Sequence, residues 1–313
     1  MTASAQTLTG ISQFRTDDGT GSNDRLGLPF SDMVSGGDLH FVGAEAGGGA
    51  GSPVASTYAA IIAGGEEAQP LNLIFITPGN YTIEDDGVPG NNTSVIKDGS
   101  GTVIFTFIHP ADSLGFTVST PGVNLTLNFT DSLGAASLTV GSLTDPADTP
   151  DSITVRSINT SGAVTLVSNG AIVEGGTDAA ADIVAGSLVL SAVTGVGTAG
   201  NAVETQTGAL EAEAVTGGIN LSNFGSVQIG GVSADVDGLD VATSGNLLFT
   251  NVGTILIGDE TGPETVHGGT TSGNVSLVAN GFDADIIATT DQDAINAPGG
   301  NIILQSGRDI AFG

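Results

Sequence analysis

One feature constrains this chain more than any other, a glycine-anchored strand unit that recurs to the end of the sequence. It reads Ser161-Gly-Ala-Val-Thr-Leu166, Ala185-Gly-Ser-Leu-Val-Leu190, Thr216-Gly-Gly-Ile-Asn-Leu221, Ser244-Gly-Asn-Leu-Leu-Phe249, Ser272-Gly-Asn-Val-Ser-Leu277 and Gly299-Gly-Asn-Ile-Ile-Leu304. The last three intervals between anchor glycines are 245−217 = 28, 273−245 = 28 and 300−273 = 27. A fixed period of this size in strand-forming sequence predicts a solenoid, each repeat one coil stacked on the last. A second apolar position follows the anchor by ten residues in most units: Ile172, Val196, Val227, Ile255 and Ile310. The unit anchored at Gly273 instead reaches Ile286 after thirteen, with Gly281-Phe-Asp-Ala284 as the insertion. Each coil therefore reads as two short strands joined by a tight Gly or Asn-Gly corner, plus a variable return arm. Thr207–Val215 reads as a third strand of one such arm.

The first half carries the same signal without the period. Leu71–Thr77, Thr102–Ile108, Gly115–Val118, Val123–Phe129, Ala136–Val140 and Ser152–Ile158 alternate apolar residues with Thr, Ser or Asn, the period-2 pattern of strands with one buried face. The acidic, Pro-containing stretch 144–151 is either a loop out of one coil or a subdomain boundary. Ala-rich Val54–Ala63, closed by Gly64-Gly65, is the best helix candidate. The expectation is an all-β, right-handed parallel β-helix with a short N-terminal capping helix. It divides into 1–53, a Gly/Asp-rich region with weak strands near Leu8–Phe14 and Asp38–Val42; 54–159, the helix and first coils; and 160–313, the Gly-anchored repeats. Stacking from Leu71 onward would give roughly nine or ten coils and a rod of about 45 Å.

Two resemblances follow from these residues. The order helix, strand, Pro78-Gly-Asn-Tyr-Thr82 resembles the start of pectin-lyase-like β-helices, where a short helix plugs the first coil; an ordinary α-to-β connection is the alternative. The unit [Thr/Ser]-Gly-Asn-h-x-h followed by Gly-x-h (h apolar), clearest at Ser272–Gly281 and Gly299–Ile310, resembles the repeats of filamentous-haemagglutinin-like exoproteins and giant β-strand-repeat bacterial adhesins. That resemblance covers 160–313 and implies a secreted surface protein, without naming a ligand. The last unit, Gly307–Gly313, is followed by no polar cap. Either the native chain continues or another subunit covers that end, which would make a head-to-tail fibre.

Composition narrows the partners. Acids outnumber bases 34 to 5 and the net charge is −29. Phosphate neutralisation needs clustered Lys and Arg, so nucleic acid is excluded as a partner. No apolar run approaches the length of a membrane span. There is no Cys, which removes disulfides, a thiol nucleophile and thiolate metal sites. Met1–Gln6 has neither the basic nor the apolar region of a signal peptide, so the expectation is a removed signal or a segment of something larger. Together these features suit a secreted bacterial cell-surface protein whose partners are other copies of itself, stacked head-to-tail or laterally, or a surface glycan or receptor.

The acids point to Ca²⁺, which takes hard oxygens from bent loops. Asp235, Asp237 and Asp240 surround a Gly turn, and Asp17, Asp18 and Asp24 lie in a single copy of an RTX-like turn. Weaker candidates are Glu84-Asp85-Asp86, and Asp283 and Asp285 with Asp291 and Asp293; for each, the alternative is a solvated acidic turn. Catalysis is not expected. Arg156 and Arg308 lie far apart with no Asp cluster of the lyase type nearby, and His40, His109 and His267 are isolated in sequence. Without Trp, and with only Tyr58 and Tyr81, there is little for sugars to stack on. Eight Asn-x-Ser/Thr sequons from Asn80 to Asn274 have the pattern of glycan acceptors, but strands rich in Asn, Ser and Thr supply the same pattern and are the stronger reading. The expected function is a non-catalytic structural or adhesive surface element. The alternatives are a Ca²⁺-dependent surface-layer component and a β-helical protein that binds or degrades polysaccharide.

Overall fold

A computed structural model describes residues 71–258, 266–289 and 294–313, together with the backbone of strand Asp38–Val42. The expected capping helix at 54–63 lies outside the described residues.

The chain is a parallel β-helix with two long walls. The first wall, of 14 strands, stacks 38–42, 71–75, 113–118, 137–140, 163–168, 187–192 and 209–214 in that order, then continues through 227–229, 255–257, 286–288 and 310–312. The second wall, of 13 strands, runs from 79–85 through 123–128, 152–159, 171–174 and 195–196 to 219–224, 247–252, 275–280 and 302–306. Between coils the pairing is parallel. Residues recurring once per coil therefore meet side by side, and apolar ones form ladders inside. One such ladder is Leu125, Ile153, Ile172, Val196, Ile219, Leu247 and Val275, all buried. Each rung contributes about 1.5–3 kcal/mol by leaving water.

The repeat motif is explained by the gap between coils. A Cβ on Gly273 would run into the carbonyl oxygen of Gly245 one coil below, and the φ of +139° is one that L side chains rarely adopt. The Asn that follows Gly245 and Gly273 serves the next coil. Asn246 Oδ1 accepts the Asn274 N–H, and Asn274 Oδ1 accepts the Asn301 N–H, each at 2.9 Å. A second, buried amide ladder at the far corner joins Asn223 Nδ2 to Asn251 Oδ1 at 2.9 Å.

The units do not all lie on the same wall, which corrects the reading from spacing. The strands after Gly162 and Gly186 belong to the first wall, whereas those after Gly217, Gly245, Gly273 and Gly300 belong to the second. Thr207–Val215 is not the third strand of a return arm. Its strand 209–214 stacks directly on 187–192 as a unit of its own, anchored at Gly208. Because 209–214 and 219–224 follow each other with only a corner between them, the long strand of the repeat changes walls there. A similar glycine-anchored sequence starts the strands on both walls, so the motif alone does not reveal the exchange.

Two further readings are settled by pairing. Stretch 144–151 is a loop out of one coil, with Asp145 Oδ1 accepting the Ala147 N–H, and both walls continue past it. Strands 93–97 and 103–108, the latter read as an ordinary coil strand, instead form an antiparallel hairpin on the edge of 79–85. This hairpin sends Phe105 and Phe107 inward, where Phe107 joins a cluster with Phe116, Phe129 and Phe75.

Candidate metal centre

The second wall opens at one place. Strand 152–159 is a single eight-residue strand, but in the next coil it is flanked by two short strands, 171–174 and 183–184. The coil after that is split in the same way, into 195–196 and 203–206, and both pieces converge on 219–224. Residues 176–180, between the first two pieces, are exposed.

Three carboxylates gather at this fork. Glu174 ends the first short strand on the inward parity of Ile172 and is 8% exposed. Asp182 precedes the second short strand and is 6% exposed. Glu204 sits one coil further on, in strand 203–206. The Asp182 N–H donates to the Glu204 carbonyl at 2.8 Å, and the Glu204 N–H donates to Asp182 Oδ2 at 3.0 Å, so backbone pairing itself clamps the two acids together. One carboxylate oxygen from each of the three residues lies within 4.8 Å of the others. Glu174 Oε2 and Glu204 Oε2 are buried without a hydrogen-bond partner.

Burial is the main force on these acids. It pushes Asp182 up to about 8, with repulsion from Glu174 and Glu204 adding to it and the Glu204 N–H opposing it. Glu174 and Glu204 are raised for the same reason, and Asp178 in the exposed loop adds to both. The nearest cation on the preceding strand, Arg156, is exposed and makes no ion pair with any of them. Such a group can hold a shared proton or a cation of hard-oxygen preference.

The acids singled out in the sequence are arranged differently. Asp235 and Asp237 are exposed on the loop between strands 227–229 and 239–241, while Asp240 binds His267 Nδ1 at 2.9 Å. They do not converge on one another as the fork acids do. Asp17, Asp18 and Asp24 lie outside the described residues, as do Asp291 and Asp293. Glu84 pairs with Lys97 at 2.5 Å, and Asp85 accepts from Thr130 Oγ1 and the Asp131 N–H, both at 2.6 Å. Asp285 is gripped by the Arg308 guanidinium through two hydrogen bonds, which hold its carboxyl below the usual range. Arg308 thus does stand among aspartates, with Asp283 at 4.0 Å and Asp309 at 3.7 Å, contrary to the expectation from sequence distance.

A signal for the fork acids was present. Glu174 occupies the inward parity set by Ile172, and 204−182 = 22 equals the local coil length given by 208−186 = 22. Taking Gly217 rather than Gly208 as the next anchor hid that equality.

His109 is not isolated either. Its Nε2 lies 2.7 Å from Ser94 Oγ and 3.9 Å from Asp85 Oδ1, while Nδ1 is buried without a partner. In a nucleophilic triad the acid and the hydroxyl engage opposite ring nitrogens. Here both face the same one, and Ser94, on strand 93–97 of the hairpin, is fully buried. The arrangement ties hairpin to coil.

An open groove of about 710 Å³ crosses successive coils at one corner, lined among others by Asn159, Ser161, Gln206, Thr207 and Phe224. Among the described residues no helix is long and apolar enough to cross a membrane. Comparison with protein-family models, curated proteins and solved structures finds no match to this chain.

Proposed function

We propose that the chain is a non-catalytic structural or adhesive element of a secreted bacterial surface protein, either a segment of a giant adhesin or a subunit of an extracellular fibre. The observation that carries this reading is what the recurring residues of the repeat touch. Anchor glycines and Asn side chains serve coil-to-coil contact, rung upon rung, rather than converging on a pocket. Stiffness and reach are what such stacking supplies. Negative-stain electron microscopy with Ca²⁺ and with chelator tests this. Rods, fibres or sheets are the expected result, and compact particles of no fixed long axis would overturn it.

A second reading is favoured by the groove at the coil corner. Hydroxyl and amide groups repeated along a solenoid axis suit an extended polysaccharide. Titration with a panel of polyuronides and neutral glycans tests that binding, and release of reducing or unsaturated sugars would move the protein into the enzymes.

A further inference from the structure

Among the described residues, buried acids are met by donors in two places and only in part at a third. Asp285 has Arg308, and Glu211, fully buried, accepts the Val232 and Ser233 N–H groups at 3.0 and 2.7 Å. At the fork of the second wall, Glu174 is more than nine-tenths buried and its Oε2 has no hydrogen-bond partner, nor does Glu204 Oε2 from the next coil, and one oxygen of each fork acid lies within 4.8 Å of the others.

We propose that Glu174, Asp182 and Glu204 bind a hard divalent cation, Ca²⁺ by preference, which ties the exposed loop 175–181 to the neighbouring coil. Oxygens held 2.3–2.6 Å from a single Ca²⁺ lie at most about 5 Å apart, the spread found here. All three side chains donate oxygen, with no His or Cys among them, which disfavours zinc and copper. Lone pairs that accept no hydrogen bond are free to ligate. The loop 175–181 is irregular, and the ligands come from two coils; calcium tolerates such geometry, whereas magnesium demands a near-ideal octahedron and keeps its waters. Asp178, on that loop, adds negative field at the mouth of the site. The role follows from topology. The fork interrupts the wall's strand ladder across two coils, and a cation bridging Glu174 and Asp182 to Glu204 replaces part of the lost cross-coil bonding.

The site does not depend on the adhesive reading, and its test is separate from microscopy. The full chain, stripped with chelator and dialysed at pH 7.5, is titrated calorimetrically with CaCl₂ and, separately, with MgCl₂. Thermal unfolding is followed under the same conditions. A saturable site for Ca²⁺ is expected, tighter than for Mg²⁺, with a rise in Tm of roughly 5 °C at a hundredfold excess over Kd. The isosteric variant E174Q/D182N/E204Q is expected to melt above the stripped wild type and to gain nothing from Ca²⁺. The variant D235N/D237N is expected to keep the full response. Should the triple variant not fold, E174Q alone is expected to weaken binding at least tenfold. The proposal is overturned by no saturable binding to the wild type, by an unchanged Kd in the fork variants, or by loss of the response in D235N/D237N instead. Binding of Mg²⁺ as tight as that of Ca²⁺ would overturn the preference for calcium.

Discussion

Among the described residues the two walls of the solenoid each fork once, and the forks handle a buried carboxylate in opposite ways. In the first wall, strand 209–214 is followed by two short strands, 227–229 and 239–241. Glu211 stands at the branch point, and the loop it faces folds back so that two of its N–H groups reach the carboxylate. In the second wall, strand 152–159 forks into 171–174 and 183–184, and the acids at that branch meet one another. The same local problem, an interrupted ladder beside an apolar core, is thus solved once by backbone donors and once by a cluster needing a proton or a cation. A buried acid is a structural element where donors are supplied from within the chain, and a binding element where they are not.

Substitutions at the two forks sharpen this contrast because they should have opposite signs. E211A removes the fully buried acceptor of two backbone N–H groups. Charged-group hydrogen bonds are worth about 1.5–3 kcal/mol each, so a loss of roughly 2–4 kcal/mol is expected in denaturant unfolding. E174Q, measured with chelator present, should instead stabilise by about 1–2 kcal/mol. It removes one acid from a cluster that must otherwise hold a proton or bear like-charge repulsion, and it gives the remaining carboxylates an amide donor. If both substitutions destabilise alike, the distinction between the forks fails.

How much of this was legible in the sequence depends on the residue. The stacked parallel solenoid was, because glycine, Asn and alternating apolar residues state their own geometry: Gly273 and Asn274 can be read as a coil corner without a structure. The wall exchange between 209–214 and 219–224 was not. An anchor glycine is needed wherever two coil backbones approach closely, on either wall, so Gly186 and Gly217 look equivalent while their strands never stack. The hairpin 93–108 was hidden for a related reason, since period-2 alternation does not distinguish a parallel neighbour from an antiparallel one. Sequence also favours acids that lie close together in the chain. Asp235, Asp237 and Asp240 met that criterion, whereas Glu174 and Glu204 converge only once the coil length is known.

A third buried ionisable group extends the comparison to a base. His109 sits under the hairpin against Phe107 and Phe129, and burial lowers its pKa although Asp85, Asp131 and Asp86 pull the other way. Below the ordinary histidine value the unfolded chain takes up a proton that the folded chain refuses. Stability from this residue is therefore complete above about pH 6.5 and is lost as pH falls toward the depressed folded value, by at most about 1.4 kcal/mol per pH unit. Unfolding free energies of wild type and H109Q, measured from pH 7.5 to 5, should converge as pH falls. Parallel curves would mean that the ring charges without penalty and that the aspartates, not burial, control it.

The smallest effect is expected where the sequence first pointed. Asp235 and Asp237 project into solvent from the loop of the first fork, and the branch point is already satisfied by Glu211. Neutralising both in D235N/D237N removes two charges from a chain of net −29 without breaking a buried contact. Surface changes of this kind fall within about 0.5 kcal/mol, and a slight stabilisation from reduced self-repulsion is the expected sign, fading as salt is raised. The measurement is unfolding at low and at high ionic strength. A loss well beyond 0.5 kcal/mol that persists in high salt would show that this loop, too, holds its acids for a partner, and the two forks would then differ in degree rather than in kind.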